Sequence, residues 1–258
     1  MTEQANKPVV MPRPTAWNNI DTPSTGPVTA RTPLEIDLYT SMRSPYAYLA
    51  MDRYVAMTQD YNLKINLRLI YPVAIRDAQF FLKAPNYRYL YDPHDMAREA
   101  KFRGIPYRWP VPDPVVMDNK ALKVADHADQ PHIFRLYRIG ALLQLEHEDK
   151  AVAWIHRMFR LIWDGSTDNW QDLISGALDQ VGLDDAAIEA RAAADEGKYL
   201  NVIEENQIIA RATGHAGVPN AVFRGEPFWG QDRIETLLWR LKLNGLTKRP
   251  GPLAAPLG

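Results

Sequence analysis

Ser44 and Pro45 stand where an alternating apolar run, Ile36-Asp37-Leu38-Tyr39, gives way to helical spacing. Serine is a preferred N-cap, because its oxygen accepts from an otherwise unpaired N–H of the first turn. Proline is best tolerated just inside, where its missing N–H costs nothing. The pair predicts a hydroxyl at the positive end of a helix that starts directly after a strand, a place suited to an anion. The plainer alternative is a serine that only caps. Gln231 and Asp232 follow Gly230 at the start of the last apolar-periodic segment, where an acid caps a helix and complements its dipole. Cysteine is absent, which removes disulfides, thiolate metal ligands and any protein-borne thiol. Sulfur chemistry here needs a sulfur carried by a ligand. The histidines offer no helical metal pair: His127 and His132 are five apart and His147 and His156 nine apart, not the i,i+4 of such a pair. His215 reads as a loop residue close to Gly217-Val218-Pro219.

The elements that must position these residues follow from pattern. Residues 1–33 are rich in proline and predict an extended arm, a floppy tail unless the protein is an oligomer. Leu34 to Thr40 is a strand. Pro45 to about Tyr61 is a helix, with Tyr46, Leu49, Ala50, Tyr54 and Met57 on its core stripe. Lys64 to Tyr71 alternates again, which completes a βαβ unit with parallel strands. Residues 72–114 mix aromatics with Arg76, Arg88, Arg98, Arg103 and Arg108, and hold a helix from about Pro93 to Arg103. Rings interleaved with arginines suit single-stranded nucleic acid. A formal net charge of −1 and the breaking prolines favour instead a pocket wall for a planar organic anion.

Helices are predicted over about 119–128, 131–147, 150–163, 170–181, 184–195 and 199–213. Asn220 to Phe223 and Pro227 to Trp229 then form a hairpin around Arg224-Gly225-Glu226, and a last helix runs from Gly230 to about Leu243. The fold class is α/β: a thioredoxin-like domain, 34–72 and 200–246, with a large all-helical insertion, 73–199, and a tail over 247–258. The N-terminus lacks the apolar core of a signal peptide. No run is long and apolar enough for a bilayer. The expectation is a soluble cytoplasmic protein with no nucleic acid, membrane or metal partner.

The motifs in this order resemble the 2-hydroxychromene-2-carboxylate isomerase family, in the kappa-class glutathione transferase branch of the DsbA-like thioredoxin-fold proteins. Ser44-Pro45-Tyr46-Ala47-Tyr48-Leu49 is similar to the family's S-P-[YF]-x-[YW]-L opening. Gly217-Val218-Pro219 is similar to its G-V-P segment. Phe228-Trp229-Gly230-Gln231-Asp232-Arg233 is similar to its F-x-G-x-D-R ending. Weaker matches are Tyr91…Asp95-Met96-Ala97-Arg98…Gly104-Ile105-Pro106 and Trp163-Asp164-Gly165. Together they span about residues 35 to 243.

The resemblance implies glutathione as cofactor and an aromatic carboxylate, such as 2-hydroxychromene-2-carboxylate, as substrate of an isomerisation. It implies Ser44 as the catalytic residue that donates to the glutathione thiolate. It implies a cis Val218–Pro219 bond, which turns the Val218 backbone outward to pair with the glutathione peptide. Gln231 and Asp232 are then placed at the γ-glutamyl end. The family also uses an asparagine and a lysine after the second strand. Arg88 stands in place of that lysine, and Asn86 is the candidate asparagine, so the chain departs from the pattern there. A homodimer is expected. The alternatives are a glutathione transferase or lyase on another aromatic substrate, and a non-catalytic glutathione-binding module.

Overall fold

The computed structural model describes residues 32–249, apart from 78, 84, 85, 119 and 122, and for 86–89 the backbone alone. Nearly all of the expected N-terminal arm and C-terminal tail thus lies outside the described residues.

β1 (Leu34–Thr40) leads into α1 (Pro45–Asp60) and β2 (Leu63–Leu69). β1 and β2 pair in parallel, from Leu34 opposite Leu63 to Thr40 opposite Leu69. β5 (Asn220–Phe223) runs antiparallel to β1, with Asn220 opposite Tyr39, and β6 (Glu226–Trp229) runs antiparallel to β5. The sheet order is β2-β1-β5-β6. Successive strand side chains point to opposite faces. Leu34, Ile36, Leu38, Ile65, Leu67, Ala221 and Phe223 accordingly enter the main core together. The other face carries charged pairs across the strands, among them Arg68 Nε to Asp37 Oδ1 at 2.9 Å.

Between β2 and β5 lie the short helices α2 (Val73–Arg76) and α3 (Phe80–Lys83) and the longer α4 (Asn86–Arg103). Then come the two-residue strands β3 (Met117–Asp118) and β4 (Lys123–Val124). They are followed by α5 (Ile133–Glu146), α6 (Glu148–Trp163), α7 (Ile174–Asp179), α8 (Asp185–Ala194) and α9 (Glu196–Ala212). α10 (Ile234–Leu243) follows a 3₁₀ turn over Gln231–Arg233. Trp154, Ile155, Met158, Phe159, Ile162 and Trp163 form the buried face of α6. Gly140 lets α5 lie directly on the end of β2, since a Cβ there would collide with Leu69 Cδ1.

Two expectations are corrected. Among the described residues of 119–128 no α-helix forms; β3 and β4 pair antiparallel instead, and a 3₁₀ turn follows at His127–Asp129. The Asp118 carboxylate accepts from the N–H groups of Lys120 and Ala121, which turns the chain. The buried Gln130 amide then bridges the N–H and C=O of Val116 and the C=O of Ala125, holding the segment extended. α4 begins at Asn86, well before the expected start, with Pro93 inside it. The proline removes one helix hydrogen bond, on an exposed turn. The helix is anchored beyond it, where Tyr46 of α1 donates to Asp95 at 2.7 Å and Ala100 is buried.

Candidate active site

One edge of the sheet collects the polar residues. β1, β2 and β6 end there and β5 begins there, as the register requires. Ser44 follows β1, Arg76 follows β2, Val218–Pro219 precede β5, and Gln231–Asp232 follow β6.

The turn between β1 and α1 is built by its own residues and gripped by the inserted segment. Ser44 is extended, at φ −104° and ψ 115°, and its side chain caps α1 by accepting from the Ala47 N–H at 3.3 Å. Ser44 N–H donates to the Ser41 carbonyl at 2.9 Å. The Ser41 hydroxyl bonds the Tyr137 hydroxyl at 2.8 Å, and Tyr137 donates to the Ile70 carbonyl. Burial of the Tyr137 phenol pushes its pKa up, so it stays protonated. Trp163 donates its indole N–H to the Met42 carbonyl at 2.9 Å. Arg43 forks onto both oxygens of Asp113, at 2.9 and 2.6 Å, with its guanidinium 4.7 Å from the centre of the Trp109 ring.

These contacts leave Ser44 in a defined state. Its oxygen lone pair is used by the cap. Among the described residues nothing accepts its hydroxyl proton. No acidic residue stands in the first turn of α1, so no side chain there neutralises the positive helix end. A half-buried hydroxyl with a free proton, at an uncompensated helix start, can donate to an anion.

The facing wall is the segment before β5. The Val218–Pro219 bond is cis. Pro219 carbonyl accepts from Gly230 N–H at 2.9 Å, which ties the segment to the end of β6. His215 stacks on Trp229, with ring centres 3.8 Å apart, and its Nδ1 accepts from the Gly217 N–H at 2.8 Å. The ring is therefore neutral with its proton on Nε2, and burial lowers its pKa, favouring that form. Gly217 has no room for a side chain: a Cβ would come within 2.5 Å of Trp229 Nε1 and 2.6 Å of His215 Cε1. Half of the Trp229 surface is open to solvent, so this stack is a ready aromatic platform.

Gln231 is buried with its amide already engaged. Its Nε2 donates to Glu99 at 2.9 Å and its Oε1 accepts from Arg53 at 3.0 Å. Arg53 also donates to the Gln231 carbonyl, locking the start of α10 to α1 and α4. That leaves the exposed Asp232 at the edge, paired with Arg233 at 2.7 Å. Asn86 and Arg88 fall in the first turn of α4, and their side chains lie outside the described residues. Among the described residues no three His, Asp, Glu or Cys side chains gather as a metal site.

Sequence reasoning missed Tyr137, Asp113 and Arg53, which hold the site residues from a distance in the chain. Trp163 was visible only as a weak motif. His215 is a loop residue as expected, and it stacks on Trp229 beside Gly217-Val218-Pro219.

This geometry is that of a thioredoxin-like fold with serine at its first helix start. A family model of the DSBA-like thioredoxin domain matches residues 35–242, and the chain belongs to that family. A 2-hydroxychromene-2-carboxylate isomerase from Pseudomonas putida is 25% identical over 205 residues, which cover 77% of this chain and 90% of the relative. A solved 2-hydroxychromene-2-carboxylate isomerase superposes with a TM-score of 0.58 at 24% identity, over 81% of this chain and 95% of the other. A probable DsbA oxidoreductase from Streptomyces coelicolor superposes with a TM-score of 0.56 at 16% identity, over 87% and 97%. The two structural likenesses establish the fold. Among the described residues no helix is long and apolar enough to cross a membrane.

Proposed function

We propose that the chain is a glutathione-dependent isomerase of an aromatic catabolic intermediate of the 2-hydroxychromene-2-carboxylate type. The observation that carries this is the Ser44 hydroxyl, with its proton free at the uncompensated start of α1 in a chain without cysteine. The site suits glutathione, because a thiolate takes both the hydroxyl proton and the helix potential. Bound glutathione would supply a nucleophilic thiolate that is regenerated in each cycle, so none would be consumed.

The chain's residues do the rest. Ser44 donates to the sulfur and holds it ionised. Val218 offers its backbone N–H and C=O to the peptide of glutathione as an added strand. Asp232 pairs with the γ-glutamyl ammonium, and Gln231 sets the backbone beside it. Asn86 and Arg88 supply further polar contacts. Trp229 and His215 give a flat wall for an aromatic ring. In this proposal the thioredoxin-like part, 34–72 and 200–246, carries most of the glutathione contacts and the Trp229–His215 wall, and the insertion, 73–199, adds Asn86 and Arg88 and closes the site. A cytoplasmic homodimer belongs to the same proposal.

The test is incubation of the full chain with 2-hydroxychromene-2-carboxylate, with and without glutathione. Glutathione-dependent turnover with no loss of free thiol is the expected result. Ser44→Ala should lower kcat by about a hundredfold, as for loss of one donor to a reacting anion. Stoichiometric thiol loss would make the protein a transferase. Binding without turnover would leave a binding module, and turnover without glutathione would overturn the scheme.

A further inference from the structure

Arg76 closes α2 at the site edge, and the scheme above gives it no task. Its Nη1 donates to the Ala216 carbonyl at 3.0 Å, at the foot of the segment that carries Val218 and Pro219. Its Nε is sealed from solvent without a partner. The guanidinium is half-buried. Its electrostatic neighbours among the described residues are Tyr137 and Arg211, with no carboxylate between them. Burial lowers its pKa, Tyr137 opposes that, and Arg211 adds a like charge that lowers it further.

This is unusual for the molecule. Arg43, Arg53, Arg68, Arg103, Arg135 and Arg240 all reach a carboxylate. Among the described residues, Arg76 is desolvated at the site edge with no carboxylate partner. Desolvating a cation with no counter-ion is costly. A fixed guanidinium in such a place matches a planar carboxylate in shape and charge. Its one protein hydrogen bond goes to the segment that forms the ligand wall, so a ligand that met it would also set that wall.

We propose that Arg76 is a carboxylate-binding residue of the site, whose missing counter-charge arrives on the ligand. The glutathione reading above supplies two candidate sources, the glycyl carboxylate of glutathione and the carboxylate of the aromatic substrate. The class of ligand does not depend on which is right.

The test is calorimetric titration of the full chain and its Arg76→Met and Arg76→Lys variants. The probes are glutathione, its glycyl monoethyl ester, trans-o-hydroxybenzylidenepyruvate and the methyl ester of that acid. Arg76→Met should weaken one of the two acids by about tenfold or more and leave the matching ester unchanged. The ester should bind the wild type no better than the acid binds Arg76→Met. Arg76→Lys should fall between, since it keeps the charge but loses the planar fork. The acid that responds identifies the source. Equal loss for acid and ester would show only support of the loop and would overturn the proposal, as would no loss for either acid. Failure of the glutathione reading is separate: glutathione would not bind the wild type, while the aromatic acid would still report on Arg76. If neither acid binds the wild type, the proposal falls. Thermal unfolding of each variant shows whether it folds, and Arg76→Lys keeps the test open if Arg76→Met does not.

Discussion

The two segments that meet at the site edge are held in opposite ways. The turn Ser41–Ser44 is fixed from the inserted segment by Tyr137, Trp163 and Asp113, with Ser41 and Met42 fully buried. The segment His215–Pro219 is held by its own neighbours, with Asn220 on the His215 carbonyl and Gly230 N–H on the Pro219 carbonyl, by Arg76 on the Ala216 carbonyl, and by a ring stack with the half-exposed Trp229. The first places a hydroxyl, which must not drift by as much as an ångström if it is to meet an incoming atom. The second presents backbone and rings, which need only accept a shape. In the proposed scheme, the contacts from distant parts of the chain are concentrated where a donor is aimed, and the more exposed contacts lie where a ligand would be selected.

The largest test of this contrast is on the gripped side. Arg43→Met strips a bidentate partner from Asp113 and a cation from Trp109, and should cost about 2 kcal/mol in urea unfolding. It should also lower kcat with KM little changed, because Ser44 moves while the opposite wall stays. A rise in KM with kcat unchanged would break the comparison. On the open side, Gly217→Ala drives a methyl into the His215–Trp229 stack. The exposed indole can swing away, so the change should cost less than about 1 kcal/mol of stability. It should weaken ligand binding about fivefold, measured by titration.

The smallest effect is a pH dependence. The folded-state pKa of His215 lies below its ordinary value, so the unfolded chain binds its proton first as the solution is acidified. Its contribution to stability is present above pH 7 and is lost as pH falls below about 6.5 towards the folded value. The loss follows chemically, because a protonated ring cannot accept from the Gly217 N–H. His215→Asn, whose amide oxygen can still accept, should show a smaller fall in melting temperature between pH 7 and pH 5 than the wild type.

The strand alternation of Ile36 and Leu38, the Ser44-Pro45 cap and the Gly225 turn were legible because they obey rules acting within a few residues. The fold class followed from their order. The site's supports were not legible, because each joins parts of the chain that no local rule connects. Ser41 meets Tyr137 across 96 positions, Arg43 meets Asp113 across 70, and Arg76 meets Ala216 across 140. Tyrosine, aspartate and arginine at such places look like any others. The segment 119–128 misled because its helical composition is overridden by two flanking side chains, Asp118 and the buried Gln130 amide. The aspartate was a visible turn signal, the glutamine was not.

The position of β1 between β2 and β5 also has a consequence for biosynthesis. β2 leaves the ribosome soon after β1, so its partner strand is available early. β5, which closes the other side of β1, is made only after the whole inserted segment. A nascent chain that has reached α9 therefore carries the Ser44 hydroxyl but not its opposite wall. It shows a bare strand edge at Asp37–Tyr39, where β5 later pairs, the kind of edge that invites wrong partners and chaperones. The segment from His215 to Asp232, made after the inserted helices, is what adds the opposite wall of the proposed site to a capped helix.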